Sequence, residues 1–81
     1  MHVTVRLFAA LRDIAGAGSL DRHIPAGATA RTLWDALAAD FPELGRYSDV
    51  TSCAVNEEYA KFATVLHEGD EVAFLPPVSG G

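Results

Sequence analysis

Residues 29–42 read Thr29-Ala30-Arg31-Thr32-Leu33-Trp34-Asp35-Ala36-Leu37-Ala38-Ala39-Asp40-Phe41-Pro42, and the rest of the chain is interpreted around them. Ala30, Leu33, Leu37 and Phe41 recur at spacings of three and four, and Trp34 and Ala38 widen the same stripe. That period places one apolar face along an α-helix of about three turns, packed against a sheet. Thr29 stands where a side-chain oxygen can satisfy the orphan amides of the first turn. Pro42 cannot continue the helix, and Pro25-Ala26-Gly27 breaks whatever precedes it.

Upstream, Val3, Val5 and Leu7 alternate with Thr4 and Arg6, the period of a strand with one buried face. Phe8 then falls on the opposite, solvent side, where a large ring is either covered by a later segment or left for a partner. Ala9–Ala15 holds helix formers, with Leu11 and Ile14 three apart, and Gly16-Ala17-Gly18 stops it after one or two turns. Leu20, Arg22 and Ile24 alternate with Ser19, Asp21 and His23, which predicts a second strand antiparallel to the first.

Downstream, Glu43–Asp49 shows no period and reads as a loop. Cys53 and Val55 alternate with Ser52, Ala54 and Asn56 in a short third strand, and Asn56-Glu57-Glu58 turns into Tyr59-Ala60-Lys61. After a turn at Glu68-Gly69-Asp70, the last strand is Glu71–Leu75, with Val72 and Phe74 on one face and Ala73 and Leu75 on the other. Strand, strand, helix and further strands make a two-layer α+β domain, a mixed sheet covered by one main helix, which is the β-grasp arrangement. The domain is expected to span residues 1–76, with a flexible tail at 77–81.

Eighty-one residues allow one domain, and 49% hydrophobic with 21% charged residues is a globular balance. The single cysteine, Cys53, permits neither an internal disulfide nor a cysteine cluster for zinc, so packing must supply the stability, and a reducing cytoplasm is the expected compartment. A net charge of -5 would repel a phosphate backbone, which argues against nucleic acid. No apolar run approaches the roughly 20 residues that cross a bilayer, and no secretory signal is recognisable, so no membrane partner is expected.

The usual catalytic constellations are absent. His2, His23 and His67 are dispersed, which leaves no metal site. Cys53 lies on the apolar side of its strand, where a thiol behaves as a small hydrophobe. Glu57-Glu58 and Asp70-Glu71 sit at turns, where solvated carboxylates are ordinary. Gly16-Ala17-Gly18 lacks the Lys-Ser/Thr of a phosphate loop. So small a domain has little stability to spare for an internal cleft, so function is expected on the surface or in the tail.

That tail, Pro76-Pro77-Val78-Ser79-Gly80-Gly81, is the most informative segment. Two prolines end ladder pairing, and from Pro76 five extended residues reach roughly 17 Å. A terminal carboxylate that must thread a narrow channel to be activated needs residues without side chains, which the two glycines provide. Activation as an acyl adenylate would let a sulfur or an amine take the Gly81 carbonyl, so that the chain is carried as a substrate.

Three segments resemble the small subunit of molybdopterin synthase, the MoaD family of ubiquitin-like sulfur carriers. They are Phe8-Ala9-Ala10-Leu11-Arg12-Asp13, Gly69-Asp70-Glu71-Val72-Ala73-Phe74 and Leu75-Pro76-Pro77-Val78-Ser79-Gly80-Gly81. The resemblance implies that a ubiquitin-activating-like partner adenylates Gly81 with ATP, that a sulfur donor enzyme supplies the atom of a thiocarboxylate, and that the tail enters the large synthase subunit. There it would give sulfur to a cyclic pyranopterin on the way to molybdenum cofactor, with the catalytic residues on the large subunit and no cofactor bound by this chain. It further implies that Gly81 and Gly80 are the sulfur-bearing end, preceded by Ser79, Val78 and Pro77. Phe8, Leu75 and Pro76 match positions around the base of the tail, and Phe8 with Leu75 is expected to form an apolar docking patch. Leu75 stands where many members carry an aromatic, and Ser79 where threonine is common. Carriers for thiamine, cysteine or tRNA thiolation share the fold and the Gly-Gly end, as does a modifier that forms isopeptide bonds; a plain interaction domain with an idle tail is the third alternative.

Overall fold

The computed structural model describes residues 1–77. Its elements are β1 (His2–Leu7), α1 (Ala9–Ala15), β2 (Ser19–His23), α2 (Ala30–Asp40), a 3-10 helix (Pro42–Tyr47), β3 (Ser52–Val55), β4 (Glu58–Ala60) and β5 (Glu71–Leu75). The strands form one sheet in the order β2-β1-β5-β3-β4. β1 and β5 run parallel at its centre, and the other three pairings are antiparallel. With α2 on one face this is the expected mixed β-grasp sheet.

The alternation in β1 becomes a one-sided strand, with Val3, Val5 and Leu7 buried and Arg6 exposed. Val72 and Phe74 of β5 lie beside them and meet Leu33, Trp34 and Leu37 of α2, all fully buried. The Trp34 and Phe74 rings stand 5.1 Å apart at 58°, a tilted contact of the kind aromatic quadrupoles favour. Burying each of these large side chains contributes roughly 1.5–3 kcal/mol. Trp34 Nε1 donates to Ser48 Oγ at 2.8 Å, so the one polar atom of the indole is satisfied inside the core.

Thr29 caps α2 as its position predicts: its hydroxyl accepts from the Thr32 amide at 3.2 Å, and the Thr32 hydroxyl accepts from the Thr29 amide at 3.2 Å. This reciprocal box resembles the usual Ser/Thr-x-x-Glu form, with threonine in place of the acid.

The segment Glu43–Asp49, expected as a loop, is corrected: most of it is the 3-10 helix, which starts at Pro42 and fully buries Leu44. A proline in the first turn suits a helix start, because its missing amide would have no partner there. The third strand ends at Val55 rather than Asn56, because Asn56 and Glu57 form a tight hairpin turn with φ of 51° and 71°. Asparagine tolerates that left-handed backbone, and Asn56 is further held by its side chain, which donates to Asp70 Oδ1 at 2.9 Å and accepts from the Glu71 amide at 3.0 Å. Residues 58–60 continue as β4, so the turn opens a true hairpin.

Candidate functional site

β1 and β5 are parallel neighbours with Leu7 opposite Phe74, so the next residues, Phe8 and Leu75, leave the sheet side by side. The alternation that buries Leu7 and Phe74 turns Phe8 and Leu75 to the opposite face. Phe8 remains 39% exposed and is the residue preceding α1. The chain must turn sharply there, and Ala9 adopts φ 50°, a left-handed conformation that costs an L-residue roughly 1 kcal/mol.

An apolar groove of about 590 Å³ runs between the two exits. Phe8, Ala9 and Ala10 form one wall, Leu75, Pro76 and Pro77 the other, and Tyr47 at the end of the 3-10 helix closes it. Phe8, Leu75 and Pro76, and Pro77 behind them, are therefore gathered in one place. Tyr47 shows that the segment before β3 reaches the groove without covering Phe8. Val78, Ser79, Gly80 and Gly81 lie outside the described residues.

On the sheet face beside Phe8, the Arg6 guanidinium lies 5.9 Å from the Phe8 ring centre and 3.6 Å from Glu71. Both partners of the ion pair are well exposed, so it fixes orientation more than it stabilises. Phe8 and Leu75 also border a second concavity of about 480 Å³ on the open sheet face, over Ala54 and Ala73, flanked by Tyr59 and rimmed by Arg6, Glu57 and Glu71. Tyr59 is 83% exposed and absent from the sequence-derived site. The register of the hairpin places it: Ala54 faces Tyr59 across β3 and β4, which sets it on the face opposite Cys53 and Ala60.

The groups set aside in the sequence sit elsewhere. Cys53 is buried, its thiol donates to the Ala60 carbonyl at 3.3 Å, and burial pushes its pKa up, all of which suit an inert side chain. Asp70 accepts from the His67 amide at 2.8 Å and from Asn56, a turn-bracing role. His2 and His23 face each other across β1 and β2 with ring centres 5.5 Å apart. Among the described residues no three His, Cys, Asp or Glu side chains gather as a metal site, and no helix is long and apolar enough to cross a membrane. Among the described residues, the groove at the root of the tail is apolar and open, suited to holding another protein, while the neighbouring concavity adds the charged Arg6, Glu57 and Glu71 to its rim.

Residues 5–81 match the ThiS family. The chain is 35% identical to the molybdopterin synthase sulfur carrier subunit of Arabidopsis thaliana over 81 residues, which cover all of this chain and 84% of that one. Among solved structures it is similar to the small archaeal modifier protein SAMP1 of Haloferax volcanii, with a TM-score of 0.88, 31% identity and full coverage of both chains. It is likewise similar to a chain in the complex of subunits 1 and 2 of the molybdopterin-converting factor of Helicobacter pylori, with a TM-score of 0.70, 26% identity and full coverage of both. With a full-length match, the expected β-grasp sheet and Phe8, Leu75, Pro76 and Pro77 at one groove, the chain belongs to the ThiS family, in its molybdopterin synthase sulfur carrier, or MoaD, branch.

Proposed function

We propose that this chain is the sulfur-carrying small subunit of a molybdopterin synthase. Residues 1–76 form the docking domain and residues 77–81 the tail that delivers Gly81. The Gly81 carboxylate attacks the α-phosphorus of ATP on a ubiquitin-activating-like enzyme, which releases pyrophosphate and leaves an acyl adenylate. Sulfur delivered at the sulfide level by a donor enzyme then attacks the acyl carbon and displaces AMP, which leaves with the electron pair, to give the thiocarboxylate. In the large subunit this sulfur passes to a cyclic pyranopterin, with the catalytic residues on that subunit and no cofactor held by the carrier. Its place of work would be the cytoplasm.

The observation that carries this reading is the groove joining Phe8 to Leu75, Pro76 and Pro77 at the base of the tail. A partner that grips it holds the tail by its root, and Val78, Ser79, Gly80 and Gly81 follow in sequence toward the reacting centre. The apolar surface offers burial without charge matching, so one patch can serve the adenylating enzyme and the large subunit in turn. The relatives named as molybdopterin synthase sulfur carriers support the choice of acceptor.

The test is the intact and C-terminal peptide mass after incubation with the adenylating enzyme, ATP and a sulfur donor. One oxygen replaced by sulfur at Gly81, followed by molybdopterin formation with the large subunit, is expected. An unaltered carboxylate would refute the carrier reading. The likeness to the archaeal modifier protein favours a second reading, a protein modifier that ends on lysine amines, and high-mass conjugates in cells would distinguish it.

A further inference from the structure

An activated Gly81 is an acylating agent, and its natural hazard is a nearby amine. The chain carries six basic residues, of which five are arginine and only Lys61 is lysine. Guanidinium groups stay protonated and do not attack acyl carbons, so Lys61 is the sole side-chain amine available.

Its position is set by the sheet register. Ser52 pairs with Leu75, and Cys53 pairs with Ala60, so one step further along the hairpin Lys61 stands across from Ser52. Phe8, Leu75, Ser52 and Lys61 therefore form a row at the end of the sheet from which the tail departs. Lys61 lies two strands from Leu75, about 10 Å at the usual strand spacing. Pro76 and Pro77 line the groove with Phe8, and the four residues beyond them can span roughly 14 Å, more than those two strand spacings. Lys61 is exposed, and among the described residues no carboxylate comes within 4.0 Å of it. The competing Met1 amine is at the opposite end of β1 and donates to the Ile24 carbonyl at 2.6 Å.

We propose that Lys61 is the chain's own acylation site, the amine that captures activated Gly81 when sulfur is not supplied. The inference rests on the adenylation step of the proposed function. The neutral Nζ attacks the acyl carbon of the Gly81 adenylate; a C–N bond forms, the bond from acyl carbon to phosphate oxygen breaks, AMP leaves with the electron pair, and the amine proton passes to water. The product is an isopeptide that no longer presents a free carboxylate and cannot carry sulfur. A short tether raises the local concentration of one end at the other to about the millimolar range, which favours closure within one copy over linkage between copies.

The experiment incubates the full chain with the adenylating enzyme and ATP, without a sulfur donor, and follows pyrophosphate release, intact mass and peptide maps. A product lighter than the chain by one water, with Gly81 joined to Lys61, is expected; a ladder of copies linked Gly81 to Lys61 would support the same acceptor across two copies. Lys61→Arg keeps the charge and is expected to abolish both products while leaving pyrophosphate release and, with sulfur donor added, thiocarboxylate formation unchanged. Pyrophosphate release with only hydrolysis, or with Gly81 on the Met1 amine or on other proteins, would overturn the assignment of Lys61 alone. No pyrophosphate release would overturn the proposed function and this inference together.

Discussion

Replacing Phe8 with alanine tests whether the groove is a docking surface, and the structure sets the size of the effect. An aromatic side chain carries roughly 200 Å² of surface. With Phe8 39% exposed, about 80 Å² remains for a partner to cover. At about 25 cal/mol per Å² that is about 2 kcal/mol, or a Kd weakened roughly thirtyfold. The part already covered against the domain is larger but yields along one open side, so folding stability is expected to fall by about 2 kcal/mol as well. Titration calorimetry of the full chain against the large subunit reads the first quantity, and urea unfolding reads the second. Val55→Ala, at a half-buried core position that does not line the groove, provides a variant of comparable stability loss and an unchanged Kd. If Phe8→Ala lowers stability while its Kd stays within about twofold of the parent, the ring is a structural residue and the docking argument fails.

Ala9→Gly is expected to be neutral or to raise stability by up to about 1 kcal/mol in urea unfolding, because glycine adopts the φ of 50° without strain. Trp34→Phe removes the 2.8 Å hydrogen bond to Ser48 and leaves a gap beside Phe74, so a loss of about 2 kcal/mol is expected by the same measurement. The Cys53 thiol has its pKa raised above its ordinary 9.0 by burial, so its contribution is whole below that pH and is lost as pH rises through the folded value. Unfolding measured across alkaline pH is therefore expected to show a decline that Cys53→Ala lacks, and the thiol is expected to react slowly with alkylating reagents in the folded chain.

The elements with a sustained period were legible before any coordinates. β1, α2 and β5 announce themselves through alternation or the three-four stripe, and Thr29 caps α2 where its side chain predicts. The 3-10 helix was not, because Leu44 is a single apolar residue among Glu43, Gly45 and Arg46, and one buried side chain makes no period. β4 was missed as a strand because three residues cannot show alternation, so Tyr59 was left out of the site. Phe8, Leu75 and the prolines could be singled out from their motifs. Their union in one groove could not, since it depends on the parallel pairing of β1 with β5 and on Tyr47 arriving from a third segment.

The central parallel pair gives the domain a fixed gauge. Because Phe8 and Leu75 leave neighbouring strands at the same level, the exposed aromatic and the origin of the tail share one reference plane. The depth at which Gly81 arrives is then a matter of residue count, about 3.3 to 3.6 Å for each residue in an extended tail. On the proposed function, an adenylating enzyme and a synthase that share this carrier would have to place their reacting centres at a common distance from the surface that holds Phe8, two otherwise unrelated active sites held to one measure by a single strand pairing.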